Sequence, residues 1–224
     1  MKRIVVAVDG PAGSGKSSVS REVALGLGLT YVDSGAIYRA VTWFFLNEKG
    51  TLDESVDFEK DLPRIGLTQD FISDGSAITK VNGVDVSREI RDEEINRHIG
   101  IVSDSVAVRN YVNSLLRDWS KSRSIIMDGR DIGTVVFPGA NVKIYLDASV
   151  EVRAGRRLKE YGEMGKTLDE IGIKNLIIQR DNQDKSRIFG RLVRAEDAVY
   201  MDTSDMSKDD VIAEMRRIIL EYSG

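Results

Sequence analysis

Gly10-Pro11-Ala12-Gly13-Ser14-Gly15-Lys16-Ser17 fills every fixed position of the pattern G-x-x-x-x-G-K-[S/T]. Residues of these types at this spacing suit phosphate chemistry. Glycines let the backbone curl so that successive N–H groups point at phosphate oxygens. A helix starting at Lys16 adds the partial positive charge of its N-terminus. The Lys16 ammonium can reach β- and γ-phosphates, and the Ser17 hydroxyl is a hard oxygen donor for Mg²⁺. A Gly-rich turn can match by chance, so the flanks matter: a buried strand must precede the loop and a helix must follow. Residues 4–8 are continuously apolar and end in the turn Asp9-Gly10-Pro11, while Val19, Val23, Leu25 and Leu27 repeat in a helical pattern. Both flanks are present, and the loop reads as a nucleoside triphosphate site.

A second set of groups lies further along. Asp9, Asp33, Asp128 and Asp147 each close an apolar run, where a carboxylate either caps the next helix or faces a ligand at the strand end. Asp128 stands out in Asp128-Gly129-Arg130-Asp131, since an Asp after an apolar strand can complete a Mg²⁺ shell. Arg180, Asp184 and Arg187 are spaced to share one helix face, with Arg191 and Arg194 after them. Arg153, Arg156 and Arg157 lie upstream, followed by Lys166. A charged run of this kind is often only a solvated face. Beside a phosphate loop it can instead neutralise a polyanion, on a lobe that closes and excludes water. Ser34-Gly35-Ala36-Ile37-Tyr38-Arg39 begins another helix; Ser34 is its expected cap, and its N-terminus with Arg39 could hold a second phosphate. The lone His98 reads as a structural or surface residue, because phosphoryl transfer gives it no task.

The elements that must position these groups follow from periodicity. Strands are expected over 4–8, 31–33, 124–127, 142–146 and 198–201, alternating with helices near 16–27, 37–46, 149–160, 168–184 and 207–222. Ser207 to Asp210 resembles a capping box for the last of these. Alternation of this kind predicts a three-layer α/β fold with a five-stranded, mostly parallel sheet. The acidic stretch 51–62 reads as helix. From 66 to 86, the turn signals Ser73-Asp74-Gly75 and Asn82-Gly83 predict a small antiparallel sheet. Helical periodicity then runs, with breaks, to Trp119. The expected division is a core at about 1–50, 96–150 and 190–224, an insert at 51–95 and a helical lid at 151–189.

Composition narrows the class. The 224 residues carry 32 Lys+Arg against 36 Asp+Glu, a net charge of −4, which argues against a nucleic-acid coat protein. Cysteine is absent, so disulfides, thiolate nucleophiles and Cys metal sites are excluded. No apolar run is long enough to span a membrane, and the run after Met1-Lys2-Arg3 is too short for a signal-peptide core. A cytoplasmic enzyme that binds neither nucleic acid nor membrane is the expectation.

Three segments then resemble one family. Asp33-Ser34-Gly35-Ala36-Ile37-Tyr38-Arg39, Asp128 to Pro138 (DGRDIGTVVFP) and Val142 to Ala148 are similar to stretches of bacterial cytidylate kinases, nucleoside monophosphate kinases of the P-loop class. With the phosphate loop, the resemblance covers Lys2 to about Tyr222. It implies MgATP-dependent phosphorylation of CMP and dCMP, in pyrimidine nucleotide metabolism and salvage, by a monomer. It also implies that the insert is an NMP-binding lobe. Carried over, ATP would meet Gly10, Pro11, Ala12, Gly13, Ser14, Gly15, Lys16, Ser17 and Ser18, with Arg153 and Arg157. Ser17 and Asp128 would hold Mg²⁺, the latter directly or through water. Ser34, Arg39, Arg130 and Arg187 would meet the CMP phosphate, Arg109 and Asp131 the cytosine edge, and Arg180 with Asp184 the sugar. Lys16, Arg130, Arg187 and Asp128 would carry catalysis. One departure shows: the family often has Ser nine residues before the base-reading Arg, where this chain has Gly100. Either Ser103, or less readily Ser105, substitutes after a helix shift, or one base contact is missing.

Two rival readings remain open on residues alone. A shikimate-type kinase would use Asp33 or Asp131 as a base toward a hydroxyl; the antiparallel insert and second arginine set argue against it. A nucleotide switch or nucleic-acid-associated ATPase lacks a guanine-specifying Asn-Lys-x-Asp and a basic stripe. Uridylate and adenylate remain as rival acceptors.

Overall fold

The computed structural model describes residues 3–53, 55–72, 75–163, 165 and 169–222. Five strands, β1 (Val5–Asp9), β2 (Thr30–Asp33), β6 (Ile125–Gly129), β7 (Val142–Asp147) and β8 (Val199–Asp202), form a parallel sheet in the order β2-β6-β1-β7-β8. They fall within one or two residues of the apolar runs. Alternate side chains leave opposite faces. Ala7, Val32, Ile125 and Met127 enter a core with α2 (Ser34–Lys49), α4 (Glu93–Asp104) and α5 (Val106–Ser120). Val6, Val8, Ile126, Ile144 and Leu146 enter the other, against α1 (Lys16–Leu27) and α8 (Lys208–Tyr222). A sheet buried on both faces explains why these strands read as unbroken apolar runs.

The order carries the functional geometry. From β1 the chain crosses one way to β2, and from β6 it crosses back over β1 to β7 and β8. The crevice of such a switch point lies beyond the carboxyl ends, where parallel-sheet proteins bind ligands. Asp9, Asp33 and Asp128 stand there in register: Val8 pairs with Asp128, Asp9 with Gly129, and Asp33 with Asp128.

The insert holds an antiparallel sheet of β3 (Leu67–Phe71), β4 (Ala77–Val81) and β5 (Val84–Asp85). Asn82-Gly83 makes the β4–β5 turn with φ 50 and 83, the left-handed values this hairpin demands. Of the other expected turn, Ser73 and Asp74 lie outside the described residues. The helix expected over 51–62 is much shorter: α3 (Phe58–Asp61) and a 3₁₀ turn, Leu62–Arg64. The reason is local competition, since Asp53 accepts from the Ser55 N–H and Asp57 caps at Glu59 and Lys60.

At the C-terminal half, α6 (Val150–Glu163) and α7 (Glu170–Ser186) pack together through Ala154, Ile173 and Ile177. Lys166, between them, lies outside the described residues. The Ser207–Asp210 capping box forms reciprocally, each side chain meeting the other's backbone N–H at 3.2 Å. No helix among the described residues is long and apolar enough to cross a membrane.

Candidate active site

The phosphate loop leaves β1 at Asp9 and closes on α1. Gly10, Gly13 and Gly15 take positive φ, and a Cβ at Gly10 would lie 2.0 Å from the Leu146 carbonyl oxygen on β7. Only glycine fits that approach. Lys16 Nζ donates to Pro11 O at 2.6 Å and Ser14 Oγ at 3.2 Å, so the ammonium arches over its own loop. Lys16 is only 5 % exposed. Burial, reinforced by Arg130, pushes its pKa down to about 7 against Asp128, Asp9 and Asp184.

Asp128 is the centre of the strand-end group. Its Oδ2 accepts from Ser17 Oγ at 2.8 Å and its Oδ1 from Tyr31 OH at 2.7 Å. Ser34 Oγ donates to the Asp128 carbonyl at 2.6 Å. Burial and the neighbouring Asp33 hold the Asp128 carboxyl above the usual range, with Lys16, Tyr31 and Ser17 opposing them. Ser17 and Asp128 are paired hard-oxygen donors beside the phosphate loop, a donor set that fits Mg²⁺. Among the described residues no group of three or more His, Asp or Glu could hold a metal unaided. Phosphate oxygens and water would therefore complete the six positions Mg²⁺ requires.

Asp9 does different work. Its two oxygens accept from the Ile132 and Gly133 N–H groups, each at 2.7 Å. These open a π-helical turn, Ile132–Val136, directly after Asp131. Asp9 thereby pins the Asp-Gly-Arg-Asp segment to the end of β1. Burial raises its carboxyl to about 6, although both backbone bonds pull the other way.

The arginines gather on the other side. Asp184, fully buried, pairs with Arg130 Nε at 2.7 Å, Arg187 Nη2 at 2.8 Å and Arg180 Nε at 3.3 Å. Burial alone would raise Asp184; the three guanidiniums outweigh it and hold it below the usual range. Arg109 Nη2 meets Asp131 Oδ2 at 2.5 Å in a buried pair, and its Nη1 donates to Ser103 O at 3.0 Å. Arg39 is the exception. Half-buried near Asp33, Arg91, Arg157 and Arg130, it makes no hydrogen bond or salt bridge among the described residues. Burial pushes its pKa down to about 10, and Arg91, Arg157 and Arg130 add to this against Asp33.

Other expected positions are occupied as follows. Asp33, not Ser34, caps α2, accepting from Ala36 N at 2.9 Å; Ser34 is already helical and turns its hydroxyl to Asp128. Ser18 Oγ donates to Gly15 O. Arg153 is buried and spent on Asp181, Ala12 O and Ala148 O. Arg157 pairs with Glu160 and stacks on Tyr161, with its side chain 44 % exposed. Arg156 touches the loop instead, donating to Ser14 O at 3.1 Å and to Thr203 O at 2.8 Å. Ser103 Oγ donates to Gly100 O and accepts from Arg187 Nη2 at 2.9 Å, whereas Ser105 caps α5 through Val108 N. Arg191 is exposed, Arg194 lies over the Tyr200 ring, and His98 Nδ1 sits 3.0 Å from Glu94 O. Tyr31, Asp104, Asp181 and Gln183 were not singled out by sequence. Tyr31 was hidden because it reads as an ordinary strand residue.

A phosphate loop at the carboxyl end of a five-stranded parallel sheet, faced by clustered arginines, defines a P-loop phosphotransferase. The chain matches the family model described as Cytidylate kinase over residues 6–221. It is 39 % identical to the Cytidylate kinase of Shouchella clausii, covering 97 % of this chain and 96 % of the relative. Identity to the Cytidylate kinase of Fusobacterium nucleatum is 41 %, with 95 % of each chain covered. For that of Streptococcus gordonii it is 40 %, again with 95 % of each covered. The chain belongs to the cytidylate kinase family, enzymes of ATP-dependent phosphoryl transfer to CMP and dCMP. Among solved structures, a shikimate kinase from Acinetobacter baumannii in complex with shikimate is 16 % identical, with TM-score 0.45, covering 98 % of this chain and 94 % of that one.

Proposed function

We propose that the acceptor phosphate binds among Arg39, Arg130, Arg187 and Ser34, facing a triphosphate held by Gly10 to Ser18. The observation that carries this reading is Arg39. A guanidinium half withdrawn from water, with no carboxylate or carbonyl bonded to it, is costly in the free protein. A dianionic phosphate there supplies the missing charge and two acceptors for its fork of donors.

No general base is required. The second pKa of a phosphate monoester is about 6, so the attacking oxygen is ionised at neutral pH. Catalysis then reduces to aligning two polyanions and screening their repulsion. Lys16 binds the donor phosphates, and their charge restores its proton. Arg130 and Arg187 reach toward the acceptor from two segments. Mg²⁺, held through Ser17 and Asp128, would supply charge neutralisation at the donor phosphates. Arg109 and Asp131 read cytosine: its N4 amino group donates and its N3 and O2 accept, complementary to a carboxylate beside a guanidinium. Arg180 and Asp184 serve the sugar, which requires one of the Asp184 pairs to open. The 51–95 insert acts as the acceptor-binding lobe and 151–189 as the lid, in a monomeric cytoplasmic enzyme. Arg153 and Arg157 belong to the donor side.

The test is ADP production from MgATP with CMP, dCMP, UMP, AMP, GMP and shikimate offered separately. Turnover confined to CMP and dCMP is expected. Turnover with shikimate alone would overturn the acceptor assignment, and hydrolysis without acceptor would move the reading to an ATPase.

A further inference from the structure

Asp104, the last residue of α4, lies outside every role assigned above. Both of its oxygens are nevertheless engaged by α7 and the residue after it. Oδ1 accepts from Arg187 Nε at 2.5 Å and Oδ2 from Gln183 Nε2 at 3.0 Å. Gln183 and Arg187 are four residues apart and so share one side of the chain where α7 ends. The surface of α4 is shaped to receive them. Gly100 is one turn before Asp104, and a Cβ there would come within 2.6 Å of Gln183 Nε2. Glycine inside a helix costs stability relative to alanine; here its absent side chain leaves room for the Gln183 amide. Ser103 adds a hydroxyl acceptor for Arg187 Nη2. Gly100, Ser103 and Asp104 thus form a seat on the core for the end of α7.

The seat uses Nε and Nη2 of Arg187, and Nη2 also lies 2.8 Å from Asp184 Oδ1 as an ion pair. We propose that Asp104 is a positioning residue for this reaction: it docks the end of α7 on α4 and orders Arg187 so that its remaining nitrogen, Nη1, is presented to the acceptor phosphate. The inference rests on the reading that Arg187 meets that phosphate. A guanidinium fixed before the ligand arrives loses less freedom on binding it. The Asp104 side chain is 40 % exposed, so its ion pair contributes little to stability. Its effect belongs in acceptor kinetics rather than in melting temperature. The sign is informative as well. A carboxylate that merely repelled the phosphate, or competed for Arg187, would weaken acceptor binding, and its removal would tighten it.

The experiment is a double-mutant cycle in the full chain: Asp104→Ala, Arg187→Ala and both together, with kcat and KM for CMP and for ATP. Arg187→Ala is expected to lower kcat/KM for CMP at least about tenfold. Asp104→Ala is expected to lower it about three- to tenfold, through KM for CMP, without moving KM for ATP or the melting temperature. Asp104→Asn, which keeps an acceptor for Nε, recovers part of the loss. In the Arg187→Ala background, Asp104→Ala should cost nothing further. Equal losses in both backgrounds, or a lower KM for CMP in Asp104→Ala, would overturn the proposal. Near-wild-type kinetics for Arg187→Ala itself would instead refute the phosphate-site reading on which it rests.

Discussion

At the Gly10–Ser17 loop, anion binding is assigned to backbone N–H groups and one lysine, all within eight consecutive residues. Around Asp184, it is assigned to arginines from α7 and from the residues that follow β6 and α7, held together by carboxylates. The two regions handle unbalanced charge differently. The loop tolerates its lysine by depressing the pKa to about 7. A guanidinium cannot shed its proton at neutral pH, so the arginine cluster needs buried internal counter-charges, Asp184 and Asp131. Arg39 has Asp33 nearby but makes no hydrogen bond or ion pair among the described residues. A backbone cradle can stand ready without a ligand, whereas an arginine cluster must be prepaired and then exchange partners.

Variants test this contrast. Lys16→Met should lower kcat/KM by about a thousandfold or more, roughly 4 kcal/mol, because it removes a cation at the developing phosphoryl charge. The same variant should not melt earlier. The folded-state pKa lies below the free lysine value, so burying Lys16 costs stability in full below pH 7. That cost fades as pH rises from about 7 toward 10.5. A melting temperature that falls on substitution would contradict the charge argument.

Arg109→Met should destabilise the protein by about 3–5 kcal/mol, read by denaturant unfolding, because it strands Asp131 in a buried site. Arg39→Met is the counterpart on an unpaired arginine. It should leave stability level or improved, yet lower kcat/KM for CMP about a hundredfold, roughly 2.7 kcal/mol. If both variants unfold alike, the distinction between paired and waiting arginines is lost.

The smallest effect is a proton. ATP binding should raise Lys16 back toward its ordinary pKa, so binding at pH 8 takes up close to one proton and binding at pH 6 takes up almost none. Affinity should fall by at most about tenfold per pH unit above 7. Calorimetry in two buffers of different ionisation enthalpy reads the uptake directly.

The same contrast explains what was legible in the sequence. The loop, the five strands and the strand-end aspartates were readable because each rests on contiguous residues and a short-range rule. The Asn82-Gly83 turn and the Ser207 capping box were readable for the same reason. The helix over 51–62 failed because Asp53 and Asp57 bond their own neighbours, a side-chain effect that periodicity does not register. Ser34 and Asp33 suit the cap position equally by sequence; the register that sets Asp33 beside Asp128 decides between them. The seat of Asp104 is out of reach of sequence, because the Gln183 amide that occupies the space at Gly100 comes from α7, about eighty residues away. Asp9 was half visible, marked as a strand end, but its hold on Ile132 and Gly133 spans the chain from β1 to the turn after β6.

Asp131→Asn tests whether the arginine side of the crevice reads cytosine. An aspartate can only accept and so favours the N4 amino group of cytosine; an asparagine amide can also donate to the O4 of uracil. In that variant kcat/KM for CMP should fall at least about tenfold while UMP holds or gains, so that the CMP-to-UMP ratio collapses. An unchanged ratio, with both acceptors slowed equally or neither slowed, would contradict it.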